Sequence, residues 1–133
     1  MSLAVVDASV LTAFYAADDP RHAFIAERLS AGDVLFAPAH LDVEIVSALR
    51  RIARNNPELD RIVPNALEHL AGFPVRRMPL PPLLSRSWEL RHSITVYDAA
   101  YVALAERLDA VLITCDARLA SASGPHCTFD QIT

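Results

Sequence analysis

Leu3-Ala-Val-Val-Asp-Ala-Ser9 is the stretch on which the fold turns. Four apolar residues run without a break into a carboxylate. A short unbroken apolar run is what a strand covered on both faces requires, as in a parallel sheet. Such a strand delivers Asp7 to its carboxyl end, the edge where open α/β sheets hold their ligands. A carboxylate at a strand-to-helix junction also serves as a helix N-cap, so Asp7 alone does not define a site. The pattern recurs, however. Val111-Leu-Ile-Thr-Cys-Asp116 is again an apolar run that ends in an acid, with a hydroxyl two residues before it.

Size and composition narrow the classes. A chain of 133 residues predicts one domain spanning 1–133. A chain this long buries roughly two-thirds of its unfolded surface without staples. Hydrophobic content is 53% and mean hydropathy +0.25, values that exclude a disordered chain. No apolar run approaches the roughly 20 residues of a membrane span, and the start lacks a basic segment followed by a long apolar one. The expectation is therefore a cytoplasmic protein. Cys115 and Cys127 form no disulfide framework and no Cys-x-x-Cys site, and read as two buried thiols. The five histidines have no zinc-ligand spacing and read as surface or cap residues. Net charge is −4, against a surface coated for nucleic acid, yet all twelve basic residues are Arg. Arg is the better bidentate partner for phosphate, although coding bias gives the same composition.

Strand and helix signals alternate along the chain. A short helix is expected over 8–16, and Asp18-Asp-Pro20 stops it and starts another over 21–31, closed by Gly32. Residues 34–37 read as a second buried strand. The strongest helical pattern runs from 40 to 55, with Leu41, Ile45, Ala48, Leu49 and Ile52 on one face. A further amphipathic helix covers 58–71, where Pro64 is expected to bend or split it. Residues 73–79 make a strand bounded by prolines, which suits a sheet edge. Helices follow over 83–92 and 97–108, then the strand 111–114, a short helix over 118–122 and a last edge strand over 127–129. Short connections and strict alternation predict an α/β fold: a doubly wound parallel sheet with helices on both faces.

Four acids stand out: Asp7 and Asp116 at strand ends, Glu44 and Asp98 on helices that would flank those ends. Glu44 sits among apolar neighbours on its helix and is expected to point inward. Asp98 lies in the first turn of its helix, where the dipole favours a carboxylate. Like charges brought close in a partly dry site either take up protons or bind a cation. Oxygen-only ligands suit Mg²⁺ or Mn²⁺ and not Zn²⁺. Ser9 and Thr114 are placed to hydrogen-bond the carboxylates.

The chain resembles the PIN-domain ribonucleases, specifically the VapC toxins of toxin–antitoxin systems. The similar pieces are Val5-Val-Asp-Ala-Ser9, Glu44-Ile-Val-Ser-Ala-Leu-Arg-Arg51, Tyr97-Asp-Ala-Ala-Tyr-Val-Ala-Leu-Ala105 and Leu112-Ile-Thr-Cys-Asp-Ala-Arg-Leu119, in family order over nearly the whole chain. The resemblance implies a PIN-like fold and a metal-dependent endoribonuclease with Asp7, Glu44, Asp98 and Asp116 around Mg²⁺ or Mn²⁺. Asp7, Asp98 and Asp116 are then the direct ligands, and Glu44 acts through a water or orients the nucleophile. The bound ion would neutralise the acids and activate the attacking water. It further implies a homodimer inhibited by a small cognate VapB-type antitoxin. Ser9 and Thr114 match supporting hydroxyls of the family; Ser47 departs from it, since relatives commonly carry Asn there.

RNA also has to be held. Arg50, Arg51 and Arg54 on the Glu44 helix and Arg118 after Asp116 are the candidate phosphate contacts, against the reading of a solvated helix face. Tyr15, Tyr97, Tyr101 and Trp88 are candidates for base stacking, but the i, i+4 spacing of Tyr97 and Tyr101 reads as core. The apolar faces of the helices 21–31 and 58–71 suggest a groove for an antitoxin helix. Three competing readings are weaker. A receiver domain needs a Lys that this chain lacks, and a haloacid-dehalogenase-type phosphotransferase wants a second Asp where Ser9 stands. The third is a PIN-like RNA-binding or interaction module without nuclease activity.

Overall fold

The computed structural model describes residues 2–16 and 18–133. Its strands are β1 (Leu3–Val6), β2 (Val34–Pro38), β3 (Val75–Met78), β4 (Val111–Thr114) and β5 (Phe129–Gln131). The helices are α1 (Ala8–Tyr15), α2 (His22–Leu29), α3 (Leu41–Ala53), α4 (Pro57–Ala71), α5 (Leu84–Glu89), α6 (Val96–Leu108) and α7 (Ala117–Ala120). All five strands are parallel, in the order β3-β2-β1-β4-β5. The doubly wound α/β expectation is met. Right-handed crossovers place α1 to α4 over one face and α5 to α7 over the other. The packing agrees: α1 lies on α2 and α3, α3 on α4, and α5 on α6.

The apolar run that opens the chain becomes the central strand. Ala4, Val5 and Val6 are fully buried, as are Leu112 and Ile113 beside them on β4. Burying the Val, Leu and Ile side chains among them stabilises the fold by roughly 1.5–3 kcal/mol each. The Ala-rich middle of α6, from Ala99 to Ala105, is buried throughout and lets that helix approach the sheet closely. From β1 the chain steps outward to β2 and β3, then crosses back to β4 on the other flank of β1. The winding therefore reverses between β1 and β4, and a crevice opens beyond their carboxyl ends.

Several boundaries differ from expectation for local reasons. α4 runs unbroken through Pro64. Pro64 is exposed, so the carbonyl its missing N–H would have served faces water. The helix expected over 83–92 is shorter: residues Pro81–Leu83 form a 3-10 turn and α5 ends at Glu89. β5 starts two residues later than the apolar signal, at Phe129, pairing Leu112 with Phe129 and Thr114 with Gln131. As an edge strand it tolerates the polar Asp130 and Gln131 that hid it. α6 stops where Asp109 takes a left-handed conformation with φ 50°. Cys115 and Cys127 are half-buried free thiols and not fully buried ones. Tyr101 is core, at 1% exposure, but Tyr97 is not: it is 63% exposed at the start of α6. No helix among the described residues is long and apolar enough to cross a membrane.

Candidate functional site

Asp7 leaves β1 and caps α1. Its Oδ1 accepts the backbone N–H groups of Ser9 at 3.1 Å and Val10 at 3.3 Å, together with the Ser9 hydroxyl. Its Oδ2 accepts the hydroxyl of Thr114, the last residue of β4. The capping reading is thus correct, and it coexists with a place at the crevice. Thr114 is fully buried and Asp7 nearly so, at 4% exposure. Burial pushes the Asp7 carboxyl up from 3.8 to about 6, against the lowering pull of the Ser9, Thr114 and Val10 donors; the nearby Asp98 raises it further. Asp116 repeats the arrangement one strand over. It caps α7 by accepting the N–H groups of Arg118 at 2.9 Å and Leu119 at 3.3 Å. Its own N–H donates to Thr114 Oγ1 at 3.0 Å. Ser9 Oγ accepts the N–H of Cys115 at 3.0 Å, so Ser9 and Thr114 stitch the β1 end to the β4 end.

The other two acids arrive on helices. Glu44 stands one turn into α3, and its Oε1 accepts the Tyr101 phenol at 2.9 Å. His40 Nε2 meets the same oxygen at 2.8 Å and the Tyr97 carbonyl at 3.1 Å. Two oxygens facing Nε2 place a proton there. Burial opposes a charge on His40, yet the hydrogen bond to Glu44, its charge and Asp98 together raise the imidazole above its usual range. Asp98 sits in the first turn of α6, its N–H capped by Thr95 Oγ1 at 3.1 Å. Its carboxyl is pushed up by burial, then by Asp116 and Glu44, with Thr95 and His40 acting the other way. Asp98 is therefore the hub: it feels Asp116 and Glu44 directly, and Asp7 feels it.

All four acids line one open cleft of about 640 Å³ between α1, α3 and the start of α6. Apolar side chains, among them Ala13, Ala48, Val43 and Ile52, form its walls. Among the described residues, no three acidic, His or Cys side chains already converge at coordination distance. The donor set nonetheless fits a hard divalent cation: carboxylate oxygens from four elements, two of them held partly toward the protonated form by burial and mutual repulsion. The basic candidates separate. Arg51 lines the acid cleft. Arg118 lies beyond Asp116 in an adjoining depression, and Arg50 and Arg54 face a different one between α3 and α4.

The model of the PIN domain matches residues 4–125. The chain belongs to the PIN-domain family. Within it, the chain is 41% identical over 113 residues to ribonuclease VapC12 of Mycobacterium tuberculosis, covering 85% of this chain and 87% of that protein. It is 42% identical over 118 residues to ribonuclease VapC3 of the same organism, covering 89% and 85%. These identities place it on the VapC branch. Among solved structures, PAE2754 from Pyrobaculum aerophilum superposes with a TM-score of 0.64 at 28% identity, covering 90% of this chain and 85% of that one. VapC20 of M. tuberculosis, a sarcin-ricin loop cleaving toxin, superposes at 0.63 and 20% identity over 82% and 86%, a likeness of fold.

Sequence reasoning missed three residues: His40, which holds Glu44, and Asp19 and Arg21, which line the cleft of this PIN domain. His40 was readable in principle, since His40 and Glu44 are an i, i+4 pair at a helix start. Asp19 and Arg21 line the cleft as a bidentate pair, with Nε–Oδ1 at 2.9 Å and Nη2–Oδ2 at 2.8 Å. They sit between α1 and α2, where no periodicity reports which way a side chain faces. Tyr97 also lines the cleft.

Proposed function

We propose that this PIN domain is a Mg²⁺- or Mn²⁺-dependent endoribonuclease toxin restrained by a small VapB-type antitoxin. The observation that carries the reading is the meeting of Asp7, Glu44, Asp98 and Asp116 in one cleft at the reversal of the sheet. In this reading Asp7, Asp98 and Asp116 hold the cation, which supplies charge neutralisation and an acidified water. Thr114 and Ser9 fix the Asp7 carboxylate, and Glu44, gripped by His40 and Tyr101, orients the attacking water. Arg51 seats a phosphate of the strand against an otherwise anionic wall. The curated relatives named ribonucleases support the substrate class. RNA in the cytoplasm is the natural location for such chemistry, and the whole chain then acts as one nuclease domain.

Membership of the VapC branch supports an antitoxin partner and a homodimer. Val43, Ile52 and Tyr97 border the acids with 67%, 37% and 63% exposure, a surface suited to an apolar segment that carries a cationic group into the cleft. The decisive experiment is incubation of the purified chain with total RNA, with EDTA and then with Mg²⁺ or Mn²⁺, followed by mapping of new 5′ ends. Cuts that appear with metal and vanish on adding the neighbouring gene's product support the reading. RNA that is bound but never cut would leave an RNA-binding module instead.

A further inference from the structure

The two acids Asp98 and Asp116 belong to two depressions at once. One is the acid cleft; the other, of about 470 Å³, continues past them and is framed by Arg91, His92 and Arg118. Asp98 and Asp116 thus form a ridge with a trough on either side. A polynucleotide cut at the ridge has to continue in two directions, because its backbone enters and leaves the scissile phosphate. The trough beyond the ridge has the chemistry for that continuation. Arg91 and Arg118, like the other arginines outside the Arg21, Arg28, Arg77 and Arg86 pairs, make no salt bridge with a carboxylate among the described residues, so both are free to take a phosphate. Arg91 is already held in place: its guanidinium stacks 4.0 Å over the Trp88 ring and donates to the Trp88 carbonyl at 2.9 Å. Holding an Arg in advance lowers the entropy lost when it grips a phosphate. Trp88 itself remains 63% exposed beside Arg91, and the ring face that the guanidinium leaves open is an aromatic surface on which a base can stack.

Resting on the nuclease reading, the geometry points to a second RNA subsite in which Arg91 and Arg118 bind phosphates on one side of the scissile bond and Trp88 stacks a base. It deepens that reading by giving the enzyme a preference for single-stranded RNA extended on that side.

The chain contains one tryptophan, so its fluorescence reports on Trp88 alone. The probe is a 12-nucleotide RNA, kept uncut by replacing Mg²⁺ and Mn²⁺ with Ca²⁺, titrated against the full chain at several salt concentrations. Expected are quenching of Trp88 on binding and, for Arg91→Ala with Arg118→Ala, a salt slope reduced by about 1.4, since each single-strand phosphate no longer neutralised removes roughly 0.7. Arg107→Ala, at the opposite end of α6, leaves the slope unchanged. Binding with unchanged Trp88 emission and an unaltered slope in the double variant overturns the subsite alone. Quenching that follows protein concentration without RNA assigns the Trp88 surface to a second copy of the chain and also overturns it. Binding with quenching, but no cleavage of RNA under Mg²⁺ or Mn²⁺, keeps the subsite and removes the nuclease reading. No binding at low salt removes both.

Discussion

Tyr101 and Glu44 are joined across the cleft: the phenol donates to Glu44 Oε1 at 2.9 Å, the same oxygen that His40 Nε2 meets at 2.8 Å. One carboxylate oxygen is held by two donors from two sides, one on α6 and one just before α3. Glu44 is thereby positioned by the packing of two layers and not by its own helix alone. Tyr101 lies in the core, and the charge and hydrogen bond of Glu44 add to burial in holding its phenol proton on.

Tyr101→Phe keeps the ring and removes one donor. A hydrogen bond to a charged group contributes about 1.5–3 kcal/mol, so a melting point lowered by a few degrees is expected. If Glu44 orients the attacking water, kcat falls several-fold while KM for RNA stays near its original value. His40→Ala acts in the same direction, and the double variant falls by less than the product of the two, because both act through one oxygen. Steady-state cleavage kinetics of the three variants check this; independent, multiplicative effects would separate His40 and Tyr101 from Glu44.

Asp7 makes stability depend on pH in a direction opposite to that of an ordinary salt-bridged acid. Its folded value of about 6 lies above 3.8, so the buried carboxylate costs stability above about pH 6 and costs nothing once both states are protonated, below about pH 4. A rise of that size corresponds to about 3 kcal/mol, reduced in Asp7→Asn by the imperfect fit of an amide to the Ser9 and Thr114 donors. In EDTA, Asp7→Asn is therefore expected to be more stable than the parent at pH 7 by on the order of 1 kcal/mol. The advantage shrinks as pH falls from 6 to 4. Taking the difference between variant and parent melting curves cancels the other titrating groups. The same variant is expected to cleave no RNA.

Thr114 is tested by the pair Thr114→Val and Thr114→Ser. Its hydroxyl donates to Asp7 and accepts from Asp116 N–H at 3.0 Å, so Val leaves the buried Asp7 carboxyl and the half-buried Asp116 N–H without their match. A loss of about 3 kcal/mol is expected, with the Asp7 carboxyl pushed still higher because a lowering donor is gone. Ser restores both bonds and forfeits only a methyl group, for about 1 kcal/mol. Chemical denaturation of the two proteins distinguishes them; equal stability would mean that the Thr114 hydroxyl ties nothing together.

The legible parts of the molecule are those where one local signal suffices. The runs ending at Asp7 and Asp116 state both a buried strand and what stands at its end, and the sheet order then places those ends side by side. Glu44 and Asp98 were legible as acids on helices, and their meeting depended on the topology. What escaped the sequence depended on neighbours far along the chain. Tyr97 and Tyr101 share a helix face by spacing, yet one is core and the other rim, because α6 emerges from the sheet edge between them. Arg50 and Arg51 are adjacent, and the helical turn between them sends one to α4 and the other to the acids. Asp19 and Arg21 lie in a connection whose direction no period encodes.

The last prediction concerns Asp98, whose carboxyl is raised by burial, by Asp116 and by Glu44. A cation that binds among these acids relieves that repulsion in the folded chain and finds no such cluster in the unfolded one. Binding of this kind adds stability as RT ln(1 + [L]/Kd), about 2.7 kcal/mol at a hundredfold excess over Kd. Mg²⁺ and Mn²⁺ are therefore expected to raise the melting point of the parent in a concentration-dependent way, and Ca²⁺, with its longer bonds and looser shell, to do so without supporting cleavage. In Asp98→Asn the hub charge is gone. The variant should melt higher than the parent in EDTA, since one repelling charge is removed, and lower than the parent in saturating Mg²⁺, since a ligand is lost. That crossing of two melting series, measured with no RNA present, depends on the cation and the acids alone. A variant whose melting point responds to Mg²⁺ as the parent's does, and which still cleaves RNA at the parental rate, would remove Asp98 from the site.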